Sequence, residues 1–167
     1  MTDPVPPAIR VNVLAGWNGP PETQLIAAAR AALDTARARR AGDGAGDGAG
    51  GSAGEGAELS VTFLTAESMR ALNRDYHGVD DVTDVLAFGL GEDPLVGDIY
   101  ISPETAEASA RELGLDRGEE ILRLVIHGIL HLLGHNHPAG EARYASPMFA
   151  LQERLLARLL AEFRGRA

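Results

Sequence analysis

Apolar and polar residues alternate over Ile9–Leu14 and again over Leu59–Leu64, a period of two that predicts two half-buried strands. Between them, after a loop of Gly and Pro at 16–21, Glu22–Arg40 places Leu25, Ile26, Ala29 and Leu33 at helical spacing. Its Arg-rich end suits the negative pole of a helix dipole. Asp84–Phe88 and Gly97–Ser102, separated by a Gly/Pro turn, predict third and fourth strands close enough to pair. Thr65 with Ser68 opens a short helix through Met69, Leu72 and Tyr76, and Ser102 followed by Pro103 opens another that runs to about Leu113. Asp116 with Glu119 forms a capping box for a third, and Leu151, Leu155, Leu156, Leu159 and Leu160 mark a closing amphipathic helix over Met148–Phe163. The expected fold class is α/β (α+β): one mixed four-stranded sheet packed with about five helices.

Length and composition narrow this picture. A chain of 167 residues, 45% of them hydrophobic, suits a single domain over 1–167 with a real core. Residues 41–57 are almost entirely Gly, Ala, Asp, Ser and Glu, too poor in apolar surface to order themselves, and predict a flexible insertion. They lack the GKS/GKT ending or GxGxxG pattern of a phosphate-binding loop. Cysteine is absent, so disulfides are excluded. With neither a leader pattern nor a run of about twenty apolar residues, the expectation is a cytoplasmic protein with no membrane partner. The formal charge of −9 disfavours a mainly electrostatic grip on nucleic acid, but all 15 basic residues are Arg, which suits local bidentate phosphate contacts.

The candidate chemistry lies in Leu124–Pro138, which holds four of the five histidines. The helix that begins near Glu119 is apolar on nearly every side, from Ile121 to Leu133, and is therefore a buried central helix. His127 and His131, four apart, share one of its faces. Gly134 can turn left-handed and Pro138 discourages continuation, so the chain turns back and His137 can close the site, with His135 as the alternative third ligand. Imidazoles on a buried helix need partners, and one shared ion satisfies several. Three imidazoles with an open fourth position describe a catalytic Zn2+ site, one ion, better than a closed structural one.

Three stretches resemble the YbeY family of bacterial rRNA-maturation proteins: Arg70–Phe88, with ThrAspValLeuAlaPhe at its end; Gly97–Ser102; and His127–His137. Met148–Glu153 fits as well. The resemblance implies a single YbeY-like metallohydrolase domain with zinc at His127, His131 and His137. It implies a single-strand-specific, metal-dependent endoribonuclease in ribosomal RNA maturation and ribosome quality control, in which a zinc-activated water attacks a phosphodiester. Ribosomal RNA is the implied substrate, and small-subunit ribosomal proteins are further partners. Two positions depart from the family. His77 stands where an Arg thought to serve catalysis is usual, and Asn136 where Asp is usual. His77 thereby becomes the catalytic candidate, able to meet a phosphate when protonated, and Arg70 and Arg74 are nearby substitutes. Asp84 and Asp98 are candidates to orient the imidazoles.

Two rival readings share these residues. A metalloprotease of the HExxHxxGxxH type needs Glu directly after the first His, where this chain has Gly128. A ribosome-associated binding factor with a mainly structural metal would need no catalytic group.

Overall fold

In the computed structural model of the protein, residues 5–42 and 55–166 are described, the side chains of 37–42 excepted. The strands are β1 (Ala8–Asn12), β2 (Glu58–Phe63), β3 (Val85–Glu92) and β4 (Leu95–Ile101). The helices are α1 (Glu22–Gly42), α2 (Ala66–His77), α3 (Pro103–Leu113), α4 (Arg117–Leu132) and α5 (Pro147–Gly165), with a 3-10 segment at Gly140–Ala145. The sheet is mixed, as expected, in the order β1-β2-β4-β3. β1 and β4 run parallel to β2, and β3 is antiparallel to β4.

The helix starts follow the capping chemistry of the sequence. Thr65, Ser102, Asp116 and Ser146 each accept a hydrogen bond from the backbone N–H three residues on. Several boundaries differ from the pattern-based ones. β3 continues past Phe88 to Glu92 because β4 pairs with it all the way to the tight hairpin at Asp93–Pro94, so its polar, Gly-rich end gains ladder hydrogen bonds that no hydrophobic alternation announces. β1 stops at Asn12, where its pairing to β2 ends at Thr62. The 3-10 segment carries no apolar period and was not expected. Of the insertion expected over 41–57, residues 43–54 lie outside the described residues.

Strand alternation gives the sheet two different faces. Leu95, Gly97, Ile99 and Ile101 of β4 are buried on the face that receives α4, whereas Val96, Asp98 and Tyr100 point to the opposite face and are only half-buried. In register with them, Val85 and Ala87 of β3 share the α4 face, and Phe88 lies opposite. Val61, Phe63, Ile99 and Ile101 meet Ile121, Val125, Ile126 and Ile129 of α4, and α1 and α5 cover the remaining sides of that helix. Burying each such side chain contributes about 1.5–3 kcal/mol.

Two glycines set how closely α4 approaches the sheet. A Cβ at Gly128 would stand 2.8 Å from Cγ2 of Ile99, and one at Gly97 would stand 2.7 Å from Cδ1 of Leu132. The missing side chains let helix and strand close on each other. Gly128→Ala should therefore destabilise the fold by about 1–3 kcal/mol through overpacking, seen as a lower urea midpoint with an unchanged m-value; an unshifted midpoint would show that the interface has slack.

Candidate metal centre and its cleft

His127 and His131 project from one face of α4, which ends one residue later at Leu132. Gly134 takes a left-handed φ of 87°. The N–H groups of Gly134 and His135 donate to the carbonyls of His131 and Leu130, each at 3.0 Å. This double-bonded C-terminal motif satisfies the last helical carbonyls and reverses the chain. His137 is thereby brought back over the helix end, and the three imidazoles converge. The Nε2 of His131 is 3.0 Å from that of His127 and 3.3 Å from that of His137, and His137 and His127 are also 3.3 Å apart.

The outer nitrogens decide the chemistry of the inner ones. Nδ1 of His127 lies 2.7 Å from Oε1 of Gln152, Nδ1 of His131 lies 3.0 Å from the His135 carbonyl, and Nδ1 of His137 lies 2.8 Å from the Pro138 carbonyl. A carbonyl oxygen only accepts, so each Nδ1 carries a proton and donates. Three Nε2 lone pairs are then left facing one another, an arrangement that repels unless a cation joins them. Burial, opposed by the Gln152 bond, pushes the His127 pKa down to about 4. Burial and the neighbouring His137 lower that of His131 as well. Neutral imidazoles are the form that binds a metal. Nitrogens placed 2.0–2.1 Å from one Zn2+ at tetrahedral angles stand about 3.3 Å apart, which these separations approach. His135, the alternative third ligand, is buried and offers its backbone carbonyl to His131 instead.

The triad opens on a cleft of about 600 Å³ between β3, α3, α4, the 3-10 segment and α5. Asp84, Glu120, Arg123, Arg143, Tyr144, Gln152 and Glu153 are among its lining. Gln152, 2% exposed, donates its amide hydrogen to Glu153 at 3.1 Å. Arg123 bridges Glu153, at 2.7 Å, and the buried Glu120. This chain of bonds ties α4 to α5 directly behind His127.

The Endoribonuclease YbeY family profile matches residues 47–160. The chain belongs to the YbeY family. Curated family members named Endoribonuclease YbeY include one from Persephonella marina, 39% identical over 115 residues that cover 65% of this chain and 74% of the relative. Another, from Geobacillus kaustophilus, is 44% identical over 117 residues covering 62% and 74%. A solution structure of a Thermotoga maritima protein superposes with a TM-score of 0.56 at 28% identity, covering 95% of this chain and 93% of that one.

Within this YbeY fold the candidates separate. His127, His131 and His137 are brought together; His77 is not among the residues that line the cleft. Its exposed ring, at the end of α2, stacks at 5.9 Å on Phe88, which points away from α4. Arg70 and Arg74 sit on the same exposed helix and pair with Asp80. Asp98 also lies on the far sheet face, where it accepts from Ser60, so it orients no imidazole. Asp84 does line the cleft, but its Oδ1 accepts from the N–H of Val85. The imidazoles are oriented by Gln152 and by two backbone carbonyls instead. Only Gln152 could have been anticipated, as a polar residue on the apolar stripe of α5; carbonyl directions leave no trace in a sequence. At position 128 a side chain would strike Ile99, so the missing protease base is also one that the packing has no room for.

Two outcomes follow for the centre. Gln152→Leu removes the acceptor but keeps the volume, and should weaken metal binding by roughly 10–100-fold, while Gln152→Glu, which keeps the acceptor for His127 but loses the donor to Glu153, should weaken it less, as read by competition with a chromophoric chelator. In metal-free protein, His127 takes up a proton less readily folded than unfolded, since about 4 lies below the 6.5 of a free imidazole. The unfolded state thus binds more protons between those values. Thermal stability should be fullest above pH 6.5 and fall progressively towards pH 4, a loss that His127→Gln would lessen.

Proposed function

We propose that this chain is a single-strand-specific, metal-dependent endoribonuclease that acts in ribosomal RNA maturation and quality control in the cytoplasm. The observation that carries the reading is the set of three imidazoles whose Nδ1 protons are committed to carbonyls and whose Nε2 lone pairs converge in a cleft. Membership of the YbeY endoribonuclease family supports it. His127, His131 and His137 would hold one ion, with zinc preferred for its affinity for neutral imidazole and tetrahedral geometry. When bound, such an ion supplies a water acidic near neutral pH and a Lewis acid for the phosphodiester.

The chain's own groups do the rest. Gln152 and the carbonyls of His135 and Pro138 hold the imidazoles in one tautomer, so no ligand needs to reorient during turnover. Asp84 lines the cleft and acts electrostatically on His127. Its Oδ1 accepts from the N–H of Val85, and its second carboxylate oxygen would take up the proton of an attacking water. His77, stacked on Phe88, serves as an outer contact for RNA beyond the reacting phosphate, since its ring is not part of the cleft. The whole chain is read as one such domain. No helix among the described residues is long and apolar enough to cross a membrane.

The test is metal content and cleavage measured on one preparation. Wild type should carry near-stoichiometric zinc and cut single-stranded RNA in preference to a duplex. His131→Ala should lose both the metal and the cleavage, by more than the roughly 10–100-fold that loss of an outer partner costs. Zinc bound at full occupancy with no cleavage of any single-stranded RNA would sink the nuclease reading and leave a binding factor with a structural metal.

A further inference from the structure

A phosphodiester is an anion, yet the cleft is lined by four carboxylates, Asp84, Glu112, Glu120 and Glu153, against two guanidiniums, Arg123 and Arg143. One divalent ion would only balance that surplus, so a cation facing the substrate is needed to hold the chain. The two arginines are not equivalent. Arg123, with its side chain 14% exposed, is clamped between Glu120 and Glu153, and its charge is spent inside the protein.

Arg143 is exposed, and among the described residues no carboxylate lies within ion-pair distance of it. Its Nη2 donates to the hydroxyl of Tyr144 at 2.9 Å, and its Cζ lies 4.9 Å from the centre of the Tyr144 ring. That ring is held edge-on by Phe149, 5.2 Å away in the first turn of α5. The backbone is held too: the Arg143 carbonyl accepts from the N–H of Ser146 at 3.0 Å and from its hydroxyl at 2.6 Å, while the same hydroxyl caps α5. The guanidinium is thus anchored by one of its five donors and by a ring face, and among the described residues no further hydrogen bond takes up the donors left for an anion.

Resting on the endoribonuclease reading, we infer that Arg143 is the substrate-phosphate contact of this cleft and that Tyr144 is its positioning residue. The Arg expected at position 77 is absent, and the His found there lies outside the cleft lining. The 3-10 segment that follows the third histidine supplies the cation instead. Arg143 lines the same cleft as the three imidazoles, so recognition and reaction would share one short stretch of chain, from His127 to Tyr144.

The experiment uses the full chain loaded with zinc and a non-cleavable, 2′-O-methylated single-stranded RNA. Binding is followed by fluorescence anisotropy over a range of salt, alongside single-turnover cleavage of the unmodified RNA. The proteins are wild type, Arg143→Gln, Tyr144→Phe and Arg158→Gln, the last removing an equal charge outside the cleft lining, where Arg158 pairs with Glu162. Arg143→Gln should keep its zinc and weaken binding roughly tenfold or more, as expected for one charge-assisted contact. Its log–log salt slope should shrink by about 0.7, one phosphate contact on a single strand. Tyr144→Phe keeps the charge and should bind less tightly with the wild-type slope. If wild type cuts RNA and Arg143→Gln behaves like Arg158→Gln in affinity and slope, the assignment of Arg143 is wrong while the nuclease reading stands. If fully zinc-loaded wild type neither binds nor cuts, both fall together.

Discussion

The close approach of α4 to β4 is the constraint on which the rest of this protein depends. Gly128 and Gly97 give up side chains at the two points where helix and strand meet, and a methyl group at either would fall within 3 Å of a neighbour. With the backbone so near the sheet, one side of α4 is sealed by Ile99 and Val85. His127 and His131 must then emerge towards the cleft. The same contact that stabilises the core therefore aims the imidazoles.

What the helix offers at its far end is chemistry made from ordinary backbone requirements. A helix must satisfy its last carbonyls, and here the left-handed Gly134 does so while folding His135 and His137 back. The His135 carbonyl then fixes the tautomer of His131, and the Pro138 carbonyl that of His137. Helix termination and imidazole orientation are one structure. Burial completes the effect, because desolvation keeps His127 and His131 neutral and their lone pairs available. The Glu120–Arg123–Glu153–Gln152 chain of bonds extends that order to α5, so the last helix, remote in sequence, holds the His127 ring.

The electrostatics of the cleft reconcile an acidic protein with an anionic substrate class. Among the described residues seven arginines are ion-paired, Arg123 inside the protein and the others nearer the surface, and local placement rather than the total of −9 sets what the cleft can hold. The two sheet faces also divide labour. The face under α4 carries the metal-type chemistry, and the opposite face presents Phe88, Tyr100 and Asp98, with His77 and Tyr76 against Phe88.

The sequence by itself determined the four strands, the five α-helices and the candidate histidine triad. Period-two and helical patterns, three side-chain caps and the HxxxHxxGxxH spacing are local properties: they depend on residues within a turn or two of one another, and short-range geometry preserves them. The family resemblance was legible in the same short motifs. Tertiary structure alone decided which sheet face each residue joined, since that turns on strand register. His77 and Asp98 were plausible near the histidines until pairing with β4 set Phe88 and Asp98 on the far side. It also decided the orienting partners, because Gln152 reaches His127 only through the packing of α5 on α4, and carbonyl directions are not written in side-chain identity. The 3-10 segment with Arg143 was invisible for a related reason: no hydrophobic period marks it, and its shape comes from the cap of the following helix.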